Sequence, residues 1–149
     1  AQARAAQVKL VDLNLLLYAI DETASHHERA RLWLEGALSG TEEIGFPWAV
    51  LLGFVRISTN PAIFEEPLQS DEAFDYVDGW LEQPVATVVQ PTNEHAVRLR
   101  EALRLLGTAG NLTTDAHLAV IAIEHGAELC SADTDFARFP GLRWHNPLA

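Results

Sequence analysis

The chain has 149 residues, of which 48% are apolar, enough for one compact domain with its own core. Its formal net charge is −11, and its only lysine is Lys9. Either the chain does not bind nucleic acid, or its negative charge is concentrated where cations neutralise it. No apolar run reaches the ~20 residues of a membrane span. A single cysteine, Cys130, excludes an internal disulfide and favours a reducing cytoplasm.

Strand-like and helix-like patterns alternate along the first half of the chain. Ala1–Gln7 is small and polar, and we interpret it as a tail that precedes a domain spanning residues 8–149. Proline favours the first turn of a helix, so Pro47 is expected to open one. The predicted elements are a strand over Val8–Val11, a helix over Leu13–Ile20, a helix over Ser25–Leu38, a strand over Glu43–Phe46 and a helix from Pro47 to about Thr59.

The second half continues the alternation after Asn60 and Pro61 end the preceding helix. Strands separated by helices predict a single α/β domain with a mostly parallel central sheet, flanked by helices on both faces. The predicted elements are a helix over Ser70–Leu81, a strand over Val85–Val89, a helix capped by Thr92 and ending at Leu106, a helix from Thr113 or Thr114 that ends before Gly126, a strand over Glu128–Ser131 and a last strand over Leu142–Trp144.

Four aspartates occupy positions that this architecture brings to one edge of the sheet. Asp12 follows the first strand, Asp115 stands in the first turn of a helix, and Asp133 and Asp135 follow the strand that ends at Ser131. The C-terminal ends of parallel strands and the N-termini of the helices that follow share an edge. The helix after Asp115 descends about 15 Å, and the next strand climbs back by a similar amount. We therefore expect the carboxylates to meet in one crevice.

Such a cluster has a chemical consequence. Unit charges ~4 Å apart repel by roughly 4 kcal/mol at an effective dielectric of 20, so the group either takes up protons or holds a divalent cation. Oxygen ligands favour Mg²⁺ or Mn²⁺ over zinc, and such ions commonly serve phosphate chemistry. Asp12 and Asp133 also have a simpler explanation as helix caps, and Asp115 as a first-turn acid. The coincidence of all of them on one edge favours the site.

Three segments carry a resemblance to a known family. The chain resembles the PIN-domain family, specifically its VapC ribonucleases, from about Val8 to His145. The resemblance implies an Mg²⁺- or Mn²⁺-dependent endoribonuclease toxin that cleaves structured RNA such as tRNA or rRNA. It also implies inhibition by a cognate antitoxin, and a homodimer. The matching segments are Val11–Tyr18, Thr114–Ala119 and Ser131–Phe136, followed by the closing Phe139–Leu142.

The resemblance also assigns roles to individual residues. Asp12, Asp115 and Asp133 would be metal ligands directly or through water, with Asp135 a close fourth. Asn14 and Ser131 would orient ligands, water or phosphate. Water would attack the phosphodiester in line, without a covalent enzyme intermediate.

Basic residues that could contact RNA are few. Arg56 is the candidate for a phosphate contact near the site, with a structural ion pair as the alternative. Arg100 and Arg104 share a helix face at i,i+4 spacing, next to Arg98. They either grip the RNA backbone or pair with neighbouring glutamates. The histidines fit no HExxH-type zinc pattern.

The sequence departs from the family at one position. VapC proteins commonly carry a glutamate three residues before the arginine of the third helix, where this chain has Gly53 before Arg56. The alternative function is therefore a PIN-fold protein-binding module whose catalysis is weakened. A phosphatase of the haloacid-dehalogenase type is disfavoured, because it needs a second aspartate where Asn14 follows Asp12.

Overall fold

The structure is a computed structural model that describes residues 7–149. Ala1 to Ala6 of the predicted tail lie outside the described residues, and Gln7 is exposed. Two short 3₁₀ turns, Gly110–Leu112 and Thr134–Arg138, complete the helical segments. The helices are α1 (Leu13–Ile20), α2 (His27–Leu38), α3 (Trp48–Ser58), α4 (Ser70–Leu81), α5 (His95–Leu106) and α6 (Thr113–Glu124).

The sheet confirms the predicted α/β class. Its order is β3-β2-β1-β4-β5, and every neighbouring pair is parallel. The chain moves from β1 through β2 to β3 in one direction and returns to β4 on the other side of β1. Right-handed connections therefore place α1 to α4 on one face and α5 with α6 on the other. The strands are β1 (Val8–Val11), β2 (Glu43–Pro47), β3 (Ala86–Val89), β4 (Glu128–Cys130) and β5 (Arg143–His145).

The reversal of strand order lies between β1 and β4, at the centre of the sheet. In open α/β sheets, ligands bind outside the carboxyl ends of the strands at such a point. Asp12 directly follows β1, and Ser131 directly follows β4. The fold thus brings the first and third of the family-like segments together at the position where this architecture commonly holds a ligand.

The prediction that Pro47 opens the third helix was wrong by one residue. Pro47 ends β2 with φ −67° and ψ 142°, so it is an extended residue that precedes the helix starting at Trp48. Proline's fixed φ suits both conformations, and its pairing with Val89 in the sheet decides between them. Other ends differ slightly from prediction: α2 begins at His27, β3 at Ala86, α5 at His95 and β5 at Arg143.

The core lies between the sheet and the helices and contains an aromatic cluster. Trp80 stacks on Phe46 with ring centroids 6.3 Å apart and meets Phe54 edge to face at 4.8 Å. Of the other tryptophans, Trp48 is 41% exposed. Cys130 is fully buried, and burial raises the pKa of its thiol to about 12. Within residues 7–149 no helix combines the length and the apolar character that crossing a bilayer requires.

Candidate active site

Asp12 is fixed at the junction of the two central strands. Its backbone N–H donates to the carbonyl of Cys130 at 3.0 Å, which continues the pairing of β1 with β4. Its side chain caps α1, where Oδ1 accepts from the N–H of Leu13 at 2.7 Å. Asp12 is only 8% exposed. The simpler explanation of Asp12 as a helix cap is therefore correct for one of its two carboxylate oxygens, Oδ1.

The second carboxylate oxygen of Asp12 belongs to a polar network. Ser131 is completely buried, and its Oγ donates to Asp12 Oδ2 at 2.7 Å. Asn14 Nδ2 donates to Ser131 Oγ at 3.2 Å and lies 3.4 Å from Asp12 Oδ2. The N–H of Asp133 donates to Ser131 Oγ at 3.0 Å. Ser131 thereby joins Asp12 to the loop that carries Asp133, and the structure places both predicted supporting residues against Asp12.

The other three aspartates converge beside this network. Asp115 lies in the first turn of α6, and Asp133 caps the 3₁₀ turn by accepting from the N–H of Asp135 at 2.9 Å. One carboxylate oxygen from each of the three residues lies within 4.8 Å of the others. Asp12 lies outside that group, and its two oxygens accept hydrogen bonds from Leu13 and Ser131. Three of the four predicted ligands form the cluster, and the fourth adjoins it.

The electrostatics of the cluster are unfavourable in the absence of a cation. Burial, followed by the charges of Asp133, Asp12 and Asp135, raises the pKa of Asp115 to about 6. Burial also raises the pKa of Asp12, with a further contribution from Asp133. The hydrogen bonds from Ser131 and Leu13 oppose that rise. Arg138 Nε lies 3.7 Å from Oδ1 of Asp135, on the exposed side of the cluster. No basic side chain contributes to the pKa shift of Asp115 or Asp12, so a proton or a cation would relieve the repulsion there.

A cleft of about 260 Å³ opens beside this cluster, with Asp12 and Asp115 in its wall. Its walls come from the start of α1, the first turn of α3 and the first two turns of α6, three elements that begin at the same edge of the sheet. The site therefore has an approach from solvent. The cleft is lined by Asp12, Leu13, Asn14, Leu17, Ala49, Val50, Thr114, Asp115 and Leu118.

The structure does not bring the predicted RNA-binding arginines into the cleft. Arg56 is exposed in the last turn of α3, about 10 Å along the helix from the cleft-lining Ala49. Arg100 and Arg104 are exposed on α5, and Arg104 lies 3.9 Å from Glu101. Among the described residues, neither Arg56 nor Arg100 forms an ion pair. Their contact with RNA remains a prediction.

Gly53 has a structural partner that sequence reasoning missed. It is buried on α3, three and four residues after the cleft-lining Val50 and Ala49, and so lies on the same helix face. A Cβ placed on Gly53 would lie 2.8 Å from Cδ2 of Leu13. Leu13 therefore occupies the space that a side chain at position 53 would need. The bulky Leu13, which follows Asp12 in the sequence, was the available signal that this space is filled.

A second polar cluster was also missed. The side chain of Glu124 is 1% exposed, and its Oε1 lies 2.5 Å from His95 Nδ1. His95 Nε2 in turn lies 2.8 Å from His117 Nδ1. The other Glu124 oxygen accepts from the N–H of Thr92 at 3.2 Å and from its hydroxyl. Because the histidines fit no zinc motif, the sequence predicts only a packed or surface position for His117. The i,i+7 spacing of His117 and Glu124 on one helix was the available signal for a shared cluster.

The order of strands, the switch-point position and the aspartate cluster together define a class of protein. The chain belongs to the PIN-domain family, whose sequence model matches residues 9–142. Two relatives come from Mycobacterium tuberculosis. Ribonuclease VapC37 is 47% identical over 142 residues, which cover 95% of this chain and 99% of VapC37. Ribonuclease VapC33 is 42% identical over 137 residues, which cover 92% of this chain and 96% of VapC33.

Solved structures share the fold at lower identity. One is VapBC2 from Rickettsia felis bound to a DNA fragment from its promoter, with a TM-score of 0.70 and 19% identity. The match covers 94% of this chain and 98% of that one. Another is DNA-bound VapBC from Salmonella typhimurium, with a TM-score of 0.65, 18% identity and coverage of 95% and 98%. At such identities the likeness concerns the fold alone.

Proposed function

We propose that this chain is a metal-dependent endoribonuclease that hydrolyses phosphodiester bonds of RNA. One observation carries the proposal: Asp115, Asp133 and Asp135 offer oxygens within 4.8 Å of one another, at the switch point of a parallel sheet and beside the buried Asp12. The names of relatives at 47% and 42% identity support the reaction class. A like-charged cluster at the mouth of a cleft supports the need for a cation.

The residues present fit a hard divalent ion. Around Mg²⁺, ligand oxygens at about 2.1 Å lie roughly 3 to 4 Å from one another, so a small closure of the three carboxylates would suffice. We propose Asp115, Asp133 and Asp135 as the holders of Mg²⁺ or Mn²⁺, with Asp12 acting directly or through water. When bound, such an ion activates water and stabilises charge on the phosphodiester.

The chain's own groups would prepare this site. Ser131 and Leu13 hold the Asp12 carboxylate in one orientation, so its free lone pairs face the cleft without a rotamer change. Asn14 Nδ2 donates to Ser131 Oγ, and Asn14 Oδ1 accepts from the N–H of Ala132 at 3.3 Å. Asp115, with a pKa of about 6 before a cation binds, is protonated below about pH 6 and would release that proton as a cation enters.

The finer parts of the proposal concern partners. The VapC resemblance supports a toxin that cleaves tRNA or rRNA and is inhibited by a cognate antitoxin. We also propose a homodimer, and action in a reducing cytoplasm, where a lone buried Cys130 needs no pairing. Arg56, Arg100 and Arg104 are the proposed contacts to the RNA backbone.

The test is an RNA cleavage assay with purified protein. Total tRNA and ribosomal RNA are incubated with Mg²⁺, with Mn²⁺ and with EDTA, and the fragments are mapped by sequencing. We expect discrete fragments only with metal. Asp12→Asn should abolish them and leave a folded protein by circular dichroism. Asp75→Asn, an exposed neutralisation on α4, is the matched control and should cleave like the wild type.

A contrary result would favour the protein-binding alternative. Leu13 filling the space at Gly53 is the observation that supports this alternative, because it leaves the cleft without a carboxylate on α3. If the wild type and Asp12→Asn leave every tested RNA equally intact, with each metal, the nuclease proposal is wrong. The chain would then act through protein contacts.

A further inference from the structure

Arg138 is a basic side chain that the fold places beside the aspartate cluster. Its Nε lies 3.7 Å from Oδ1 of Asp135. Asp135 is in turn one of the three aspartates whose carboxylate oxygens lie within 4.8 Å of one another. Among the ion pairs of residues 7–149, no other joins a basic side chain to any of the four aspartates of the site. In that part of the chain, the cluster therefore has a single cationic neighbour.

The turn that carries Arg138 is anchored by buried residues. Arg138 ends the 3₁₀ turn Thr134–Arg138, and Asp133 caps the start of that turn. Phe136 and Phe139 are 1% and 5% exposed, and their ring centroids lie 6.0 Å apart. The N–H of Phe139 donates to the carbonyl of Phe136 at 3.3 Å. The backbone of Arg138 is therefore held in place, while its side chain stays 58% exposed.

The guanidinium of Arg138 is not saturated by its ion pair. A separation of 3.7 Å is too long for a hydrogen bond, and its N–H groups have no hydrogen-bond partner among the described residues. Arg31 also follows an acid by three residues, but it donates hydrogen bonds to that residue, Glu28, and to Glu35 at 2.9 Å. A guanidinium offers five N–H donors in a planar fork that matches a phosphate. Arg138 therefore has donors available for a second anion.

We propose that Arg138 contacts an RNA phosphate at the cleavage site, an inference that rests on the proposed nuclease function. A phosphodiester positioned at the three carboxylates would lie one side chain away from the guanidinium, because Asp135 belongs to both groups. The net charge of −11 opposes the approach of RNA, so a cation at this point has a large effect. The arginines at positions 56, 100 and 104 do not line the cleft and would reach only RNA that flanks it.

This role predicts opposite effects on metal binding and on RNA binding. The positive charge beside Asp135 opposes a divalent cation at the cluster and attracts a phosphate. Arg138→Gln should therefore tighten Mn²⁺ binding severalfold in titration calorimetry without RNA. The same variant should weaken RNA binding by about tenfold. Its melting temperature should stay nearly unchanged, because an exposed ion pair contributes little to stability.

RNA binding is measured by fluorescence anisotropy on unfractionated tRNA labelled at its 3′ end. The titrations contain Mg²⁺ and use Asp12→Asn proteins, so that the RNA stays intact. They are repeated at several salt concentrations, since loss of one phosphate contact should reduce the slope of log affinity against log salt by about 0.7 to 0.9. Arg138→Lys keeps the charge and loses the planar fork, so it should keep the slope and recover only part of the affinity.

Arg31→Gln is the matched control. It removes an exposed arginine from α2 that also follows an acid by three residues, and it should leave the affinities for tRNA and Mn²⁺ unchanged. If the wild type cleaves no RNA with any metal, the nuclease function is wrong, whatever the affinities. The Arg138 proposal is overturned, even for an active nuclease, if Arg138→Gln and Arg31→Gln bind tRNA equally well or if tRNA does not bind. It is also overturned if Arg138→Gln weakens tRNA and Mn²⁺ binding together and lowers the melting temperature, because that pattern identifies a structural ion pair.

Discussion

Helix α6 contributes to two polar clusters that differ in their electrostatics: one brings like charges together, and the other pairs donors with acceptors. Asp115, in its first turn, faces other carboxylates, and its pKa rises to about 6 through burial and their charges. On another face, Glu124 and His117 join His95 in a chain in which each contact lies within hydrogen-bonding distance. Both clusters are partly or fully withdrawn from solvent. Only the second is complementary within itself.

This contrast distinguishes a candidate functional cluster from a structural one. In the Glu124 cluster, every polar atom at a contact meets a donor or an acceptor, so the chain gains from its burial. In the aspartate cluster, the side chains that meet are all acceptors when ionised, and Arg138 pairs with Asp135 at its exposed side. The repulsion between Asp115 and its neighbours is therefore relieved only when a proton or a cation binds. Burial alone does not distinguish the two clusters. Complementarity does.

The largest effect should come from Asp115→Asn. The substitution removes a proposed metal ligand, and loss of metal-assisted stabilisation should lower RNA cleavage about 100-fold or more. It also removes a charge from a repulsive group, so the free energy of unfolding of the metal-free protein should stay equal or increase. Cleavage kinetics and urea unfolding in EDTA measure the two effects. A variant that loses both activity and stability would mean that Asp115 has a structural role.

The next largest effect should come from Glu124→Ala, which should lower stability and leave cleavage intact. This change leaves His95 and Thr92 without their acceptor in a site where the glutamate side chain is 1% exposed. We expect a loss of about 2 kcal/mol in the free energy of unfolding. Cleavage per folded molecule should be unchanged. Urea unfolding measures the loss, and an exposed control, Glu101→Ala, should change stability by less than about 0.5 kcal/mol. Equal stability of the two variants would remove the contrast.

The sequence predicted the aspartate cluster better than the histidine cluster for a physical reason. The architecture puts strand ends and helix starts at one edge, so Asp12, Asp115 and Asp133 could be placed from element order alone. The contact of His95 with His117 depends on how α5 rotates against α6, which no periodicity fixes. The alternation of strand-like and helix-like segments predicted the α/β class and the parallel pairing of the sheet. Capping residues predicted most of the helix ends. The conformation of Pro47 did not, because strand pairing decides it.

The relation of Leu13 to Gly53 could not be predicted either, since it requires the distance between two helices. This contact affects what a glutamate introduced at position 53 of α3 can do. Gly53→Glu alone must displace the end of the Leu13 side chain, which a Cβ would approach to 2.8 Å. The double change Leu13→Ala with Gly53→Glu opens that space. It should tighten Mn²⁺ binding by about tenfold, the effect of one added charged ligand.

Calorimetric titration of Mn²⁺ measures this effect, and Leu13→Ala alone is the control. That control should bind Mn²⁺ like the wild type. If the double variant binds no more tightly than Leu13→Ala, the side chain at position 53 does not reach the ion. Metal binding would then depend on the loop and α6 aspartates alone. The single Gly53→Glu variant should lie between the two, because it must first displace the end of the Leu13 side chain.

The smallest effect is a pH dependence of stability that only the aspartate cluster should produce. The pKa of Asp115 is about 6 in the folded protein, against an ordinary value of 3.8. The folded state therefore holds this proton more tightly than the unfolded chain does. The destabilisation is complete above pH 6 and shrinks as the pH falls toward 3.8. In EDTA, the melting temperature of the wild type should thus rise between pH 7.5 and 5.5, relative to Asp115→Asn, by about 2 °C.

The comparison with Asp115→Asn isolates the contribution of that carboxyl from the other titrating groups. Asp12, whose pKa is also raised, and the aspartates at 133 and 135 remain in both proteins. Saturating Mg²⁺ should abolish the difference, because the cation replaces the proton as the partner of the cluster. If the two proteins keep parallel melting curves across this pH range in EDTA, the repulsion among the carboxylates is already relieved by solvent. The cluster would then lack the electrostatic demand for a cation that distinguishes it from the Glu124 chain.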